Sequence, residues 1–332
     1  MKKGRSLSMA MAMASCSGRI PSGLTLSRRS RHRFVAAASE DDSRVAIQEE
    51  ASSAIDVVKK EFQARRYHVE NDKMFDILGA SLAVPLRLGT GALVQGYKAS
   101  FVPKEQVPPS QYSLFDFGGQ KLVETAELGA RPQQPIQIYE FEGCPFCRKV
   151  REAATILDLD ILFYPCPKDG PTYRPKAIEL GGKKQFPYMV DPNTDVAMYE
   201  SDEIIKYLVD KYGNGKVPFM LSLGFFTTLT AGLAMLGRAG KGSQYVPARK
   251  PDKPLKIWAY ELSPFCKIAR ERLVELELPH VYYNAARGSP KRNYLLERTG
   301  IFQVPFLEDP NTGVEMFESS EIIKYLNTTY AL

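Results

Sequence analysis

The segment Glu200-Ser201-Asp202-Glu203-Ile204-Ile205-Lys206-Tyr207-Leu208 returns 118 positions later as Glu318-Ser319-Ser320-Glu321-Ile322-Ile323-Lys324-Tyr325-Leu326, eight of nine residues identical. Asp191-Pro192-Asn193-Thr194 recurs as Asp309-Pro310-Asn311-Thr312, and Gln185-Phe186-Pro187 is answered by Gln303-Val304-Pro305, both at that offset. Cys144-Pro145-Phe146-Cys147 corresponds to Ser263-Pro264-Phe265-Cys266, one position further on. Such a duplication constrains the chain to make one small fold twice, over 136–213 and 255–330.

Each unit reads in the same order. Ile136 to Phe141 is an apolar, β-branched and aromatic run, and so a strand. Pro145 to Leu159 spaces Val150, Ala153, Ala154 and Leu157 as one helix face, with Pro145 in the first turn. Ile161 to Tyr164 is a second strand, and Tyr173 to Leu180 a short helix closed by Gly181-Gly182. Pro187 to Val190 and Val196 to Tyr199 make a hairpin, and Ser201 is expected to cap a last helix ending at Tyr212. The second unit predicts strand 255–260, helix 264–277, strand 280–283, helix 290–299, hairpin 304–317 and helix 319–329. The order βαβ-α-ββα gives an α/β fold, a four-stranded mixed sheet with helices on both faces.

The flanks differ in composition. Residues 1–39 carry eight Lys or Arg, eight Ser and no acidic residue, the composition of an organelle transit peptide. A plastid is the first expectation and a mitochondrion the second, with processing near Val35-Ala36-Ala37-Ala38. Taking these eight from the 44 basic residues leaves 36 against 38 acidic ones, so the body is near neutral and gives no reason to expect nucleic acid. Residues 40–134 form a lead-in, read as a polar helix or partly disordered stretch over 40–78, followed by an apolar arm around Leu86 to Leu93. Residues 214–253 link the units, 135–213 and 254–332. Within the linker, Val217 to Gly237 is uncharged but holds Pro218, three Thr and three Gly. It is read as an apolar helical arm that packs on the units or associates with a membrane. Leu86-Arg87-Leu88-Gly89 is matched with Leu221-Ser222-Leu223-Gly224 as the arm of the other unit.

The chemistry sits at Cys144 and Cys147. A dithiol at a strand-to-helix turn meets unpaired N–H groups and the positive end of the helix dipole, which favour a thiolate. Arg148, Lys149 and Arg151 add positive charge to the same turn. The first cysteine of such a turn is expected to be exposed and nucleophilic, and the second placed to resolve a mixed disulfide. Zinc would need two further ligands, and the body offers only His68, His280, Cys166 and Cys266. No phosphate loop or dinucleotide fingerprint is present.

Taken together, strand, Cys-Pro-Phe-Cys, helix, later Phe-Pro and final Glu-Ser before a helix resemble a glutaredoxin or the N-terminal domain of a glutathione transferase. Cys-Pro-Phe-Cys-Arg-Lys-Val is also similar to the glutaredoxin-like part of membrane-associated prostaglandin E synthase 2. The presequence and tandem arrangement resemble plant plastid proteins with two such thioredoxin-like domains. The resemblance implies Cys144 as nucleophile and Cys147 as resolving thiol. It implies a cis Pro187, with the backbone of Phe186 pairing with glutathione as an added strand. Glu200 would meet the γ-glutamyl ammonium and Ser201 its carboxylate, while Lys183 or Lys184 could reach the glycyl carboxylate. In the second unit Ser263 replaces the nucleophile and Phe302 replaces Lys184. Cys266, Val304, Pro305, Glu318 and Ser319 keep the rest of the frame.

The expected function is a glutathione-linked thiol–disulfide oxidoreductase of the chloroplast stroma, acting on protein or glutathione disulfides. Conjugating transferase activity is disfavoured, because only 42 residues separate Tyr212 from Leu255 and no helical second domain can be built from them. The alternatives are a glutathione- or protein-binding module with an idle dithiol, an isomerase of the prostaglandin-synthase kind, and, as the weakest, a [2Fe–2S] centre shared by glutathione and Cys144 of two protomers. No protein metal site is expected.

Overall fold

The structure is a computed structural model, and residues 69–332 are described below. The expected presequence, its processing site, most of the polar lead-in and His68 lie outside the described residues. The described residues fall in one compact unit with a mixed α/β architecture.

In the first repeat, β4 (Ile136–Glu140) leads into α3 (Pro145–Ile156), then β5 (Asp160–Pro165), α4 (Tyr173–Gly181), the hairpin β6 (Tyr188–Asp191) and β7 (Val196–Met198), and α5 (Ser201–Tyr212). The second repeat runs β8 (Leu255–Ala259), α7 (Pro264–Glu275), β9 (His280–Asn284), α8 (Lys291–Thr299), β10 (Phe306–Asp309), β11 (Val314–Phe317) and α9 (Ser319–Tyr330). β4 pairs parallel with β5 and antiparallel with β6, and β8 does the same with β9 and β10. The recurring Asp-Pro-Asn-Thr is a structural device. Asp191 accepts hydrogen bonds from the hydroxyls of Tyr207 (2.6 Å) and Tyr212 (2.5 Å) and from Asn193, tying the hairpin to α5. Asp309 repeats this with Tyr325, Tyr330 and Asn311.

The two sheets are continuous. β5 and β9 pair antiparallel, Leu162 opposite Val281, giving one eight-stranded sheet in the order β11-β10-β8-β9-β5-β4-β6-β7. Each repeat thus covers the edge strand the other would expose. One apolar core runs through both, from Ile136, Val150 and Phe163 to Leu273, Tyr282 and Leu326. Beside it lies a buried ion network. Glu142 of the first repeat binds Lys267 and Arg270 of the second, and Glu261 of the second binds Arg151 of the first (3.1 Å) and Arg270.

The lead-in differs from its expectation. After the short helices α1 (Met74–Ser81) and α2 (Ala83–Leu86) comes a three-stranded antiparallel sheet: β1 (Lys98–Pro103), β2 (Ser113–Phe117) and β3 (Gln120–Thr125), in the order β1-β3-β2. Its strands are mostly exposed, so no buried apolar alternation announced them. The signal that was available is Gly118-Gly119, whose positive φ values of 60° and 76° make the two-residue turn between β2 and β3.

The arms also correct the sequence reading. The counterpart of Arg87-Leu88-Gly89-Thr90-Gly91 is Arg238-Ala239-Gly240-Lys241-Gly242, not the segment at Leu221. In both, the residue after Arg and both glycines have positive φ. Arg87 is clamped on Glu152 (2.6 and 3.0 Å), and Arg238 on Glu271 (2.8 and 2.9 Å). Past each motif the chain crosses to the other repeat: Val94 N donates to Arg287 O, and Tyr245 N to Lys168 O, both at 3.0 Å. The Val217–Gly237 stretch holds a 3₁₀ turn (Phe219–Leu221) and α6 (Phe225–Leu236), which packs on α3. Phe219, Phe225, Phe226 and Leu236 remain exposed. Among the described residues no helix is long and apolar enough to cross a membrane.

Candidate functional site

Cys144 ends the loop after β4 and is the N-cap of α3. Its Sγ accepts a hydrogen bond from the backbone N–H of Cys147 at 3.2 Å, the role a Ser or Asp oxygen plays at other helix starts. Pro145 at the first helical position has no N–H to leave unsatisfied. The same sulfur lies 3.9 Å from the carbonyl oxygen of Phe186, and the Phe186–Pro187 peptide is cis, as the resemblance implied.

Cys144 is 4 % exposed, against the expectation of an exposed nucleophile, and lines a cleft of about 520 Å³. Phe141, Phe146, Arg174, Lys184, Phe186 and Glu200 surround that cleft. Despite burial, the Cys144 thiol is shifted below the usual cysteine range. The Cys147 thiol donating to it is the largest cause, and burial opposes the shift. The backbone N–H of Cys147 and the charge of Arg151 add to the lowering. Cys147 is pushed well up, first by burial and then by that same hydrogen bond. The two thiols therefore part into a thiolate former and a proton holder.

Of the three nearby cations only Arg151 contributes to lowering the Cys144 pKa, and all three are paired with acids. Arg148 pairs with Glu152 (3.0 Å), Lys149 with Asp202 (2.6 Å), and Arg151 with Glu140 and Glu261. Buried cations must be paired, so most of their charge is spent in the fold. Cys166 is fully buried, its thiol raised by burial and donated to Tyr164 O (3.4 Å). Among the described residues no cluster of His, Cys, Asp and Glu could hold a metal ion.

The expected helix cap at Ser201 is corrected. Ile204 N donates to Glu200 O, so α5 starts with Glu200 as N-cap, and no side chain caps it. Ser201 is the first helical residue, and Ser319 holds the same place after Glu318. Glu200 and Glu318 adopt φ of 66° and 67°, a backbone conformation that costs a non-glycine residue about 1–3 kcal/mol. Gln185 Nε2 holds the Glu200 carboxylate at 2.6 Å, and Gln303 does the same for Glu318. Strain and support recur together in both repeats.

Arg174 was missed. Its guanidinium lies over Phe186 (4.7 Å) and Phe141 (5.3 Å) and donates to Cys166 O and Pro167 O, each at 2.9 Å. Arg292 repeats this over Phe302 (4.5 Å), donating to Ala285 O and Ala286 O. The signal was the repeat itself, since Gly170 and Arg174 recur as Gly288 and Arg292. Lys184 lines the cleft, whereas Lys183 lies over the Tyr199 ring.

In the second repeat Ser263 Oγ accepts from Cys266 N (3.3 Å), and Val304–Pro305 is cis. Burial raises the Cys266 thiol to about 11. Ser263, Val304, Pro305, Glu318 and Ser319 line a cavity of about 360 Å³. Of the expected residues, Cys144, Lys184, Phe186, Glu200 and Ser201 line the first cleft and Ser263, Val304, Pro305, Glu318 and Ser319 the second, while Pro187 and the buried Cys147 and Cys266 are not part of the lining.

Residues 138–219 and 258–332 match the family model for the glutathione S-transferase N-terminal domain, which together is just under half of the chain. A solved glutathione transferase of Bombyx mori is 30 % identical, with a TM-score of 0.23, over 25 % of this chain and 38 % of that one. A structure of that transferase in complex with GTT is 29 % identical, with a TM-score of 0.22, over 25 % and 39 %. The chain spans about two fifths of the length of these structures. Comparison with curated proteins finds no match. The domain match supports a glutathione-related function in general terms.

Proposed function

We propose that the chain carries two tandem thioredoxin-like domains and that the first is a glutathione-linked thiol–disulfide oxidoreductase. The observation that carries this reading is the position of Cys144 Sγ. It lies 3.2 Å from the Cys147 N–H at a helix start, beneath the Phe186 carbonyl that precedes a cis proline, with its pKa lowered while that of Cys147 is raised. The Cys144 thiolate attacks one sulfur of a protein or glutathione disulfide, and the other sulfur leaves as a thiolate. Cys147 then gives up its proton and attacks the Cys144 sulfur. The second substrate sulfur leaves, and two electrons have passed from the dithiol to the substrate. Two glutathione thiols restore the dithiol and become glutathione disulfide.

Glutathione would lie along the cleft. The Phe186 backbone offers it a strand edge, Glu200 faces its ammonium, Ser201 at the start of α5 meets its γ-glutamyl carboxylate, and Lys184 supplies a cation for the glycyl end. A glutathione-dependent disulfide reduction assay on residues 40–332 tests the reading. Cys144→Ser should abolish turnover, while Cys147→Ser should keep part of it through glutathione alone. A wild type that binds glutathione but reduces nothing would move the protein to the binding-module class. The second repeat, with Ser263 in place of the thiol, favours that class for its own cavity.

We place the protein in the plastid stroma on the composition of residues 1–39. We also propose that α6 touches a lipid surface with Phe225, Phe226 and Leu236, since the helix is too short to span one. Flotation with liposomes should recover the wild type and lose a Phe225→Ser/Phe226→Ser double variant.

A further inference from the structure

The two clefts correspond residue by residue. Phe141, Phe146, Arg174, Lys184 and Glu200 in the first become Tyr260, Phe265, Arg292, Phe302 and Glu318 in the second. The second cavity adds groups the first lacks. Tyr112, on the loop before β2, closes one wall, its ring 4.8 Å from Phe302 and 5.1 Å from the Arg292 guanidinium. Tyr112 N donates to Asn293 Oδ1 at 2.8 Å, which anchors that loop on α8. The loop leading into β2 is thus a wall of the second cavity and has no counterpart in the lining of the first.

The second addition is Arg287. Its Nη1 donates to Glu124 Oε1 (3.0 Å), and Arg292 reaches the other oxygen of the same carboxylate at 3.4 Å. One carboxylate serves two guanidiniums, and among the described residues no other oxygen accepts from Arg287. The remaining acid of the cavity, Glu318, is held by Gln303. Gln303 Oε1 is buried without a hydrogen-bond partner. The cavity of about 360 Å³ therefore combines aromatic walls with a guanidinium that has donors to spare. An aromatic pocket with a few placed polar groups is the usual make-up of a small-molecule site.

We propose that this cavity binds a small aromatic monocarboxylate, its ring between Tyr112, Phe265 and Phe302 and its carboxylate on Arg287. A guanidinium and a carboxylate pair by a two-pronged hydrogen bond that an alcohol cannot match. Binding here is non-covalent and needs neither Cys144 nor glutathione, so it stands or falls apart from the oxidoreductase reading.

The test is titration calorimetry of the full chain with 2-naphthoate and its neutral counterpart 2-naphthalenemethanol. The expected result is one saturable site per chain for the acid, at least tenfold weaker binding of the alcohol, and at least tenfold weaker binding of the acid to Arg287→Gln. Tyr112→Ala, which leaves the Glu124 pairs in place, should weaken acid and alcohol alike. Thermal melts show that both variants are folded. No saturable uptake by the wild type, equal affinity for acid and alcohol, or undiminished binding in both variants would overturn the proposal.

Discussion

The four cysteines of the described region differ in reactivity because of where each thiol sits. Cys144 caps a helix and receives a hydrogen bond from Cys147, which lowers its pKa. Cys147, Cys166 and Cys266 are raised, each chiefly by burial. Brief iodoacetamide treatment at pH 7 should therefore modify Cys144 well before the other three, read as peptide masses. His280 is a second residue-scale case. Its ring is fully buried, Nδ1 lies 2.9 Å from Leu278 O, and burial lowers its pKa to about 4. The unfolded imidazole takes up a proton near the ordinary histidine value of 6.5, where the folded ring stays neutral. This contribution to stability is whole above pH 6.5 and falls as pH drops toward 4, by roughly 3 kcal/mol. His280→Ile, the residue type at the matching Ile161, should flatten the urea-unfolding free energy over that window relative to wild type. The histidine was legible in the sequence as a candidate ligand. Its burial in the seam between the repeats was not.

At the scale of elements, the two arms meet backbone to backbone. A Cβ on Gly79 would stand 2.3 Å from Gly237 O, and one on Gly237 2.6 Å from Gly79 O. Gly79→Ala should cost about 1–3 kcal/mol in urea unfolding, because backbone rather than a flexible side chain blocks the methyl. Glu142 sets a larger effect. Burial opposes its charge, yet Arg151, Arg270 and Lys267 together hold its carboxyl well below the usual range. Glu142→Gln leaves two buried cations of the second repeat under-compensated and should cost about 3–5 kcal/mol by the same measurement. The helices and strands of both repeats could be read from periodicity to within a few residues, as α3 shows. It ends at Ile156 rather than Leu159 because Asp158 turns out of the helix with φ of 55°. β1 to β3 could not be so read, since exposed strands have no face to pattern.

For the molecule as a whole, the β5–β9 ladder makes the repeats one sheet, and the arms strap each repeat to the other. A fragment of residues 135–253 keeps its dithiol but exposes the β5 edge and loses Lys267 and Arg270, two of the three cations on Glu142. It should associate through that edge, eluting as a dimer or larger species in size-exclusion chromatography where residues 40–332 do not. By itself the sequence determined the duplication, the order of elements in each repeat, the Cys-Pro-Phe-Cys turn and its imperfect copy. These are local patterns of spacing and residue type, and they survive wherever the repeats sit. Only the tertiary structure decided that the edges pair, that Arg148 and Lys149 pair with acids and leave Arg151 to favour the thiolate, and that Tyr112 and Arg287 remake the second cleft. Those outcomes depend on which groups lose water together, and residues up to 190 positions apart must meet before that is settled.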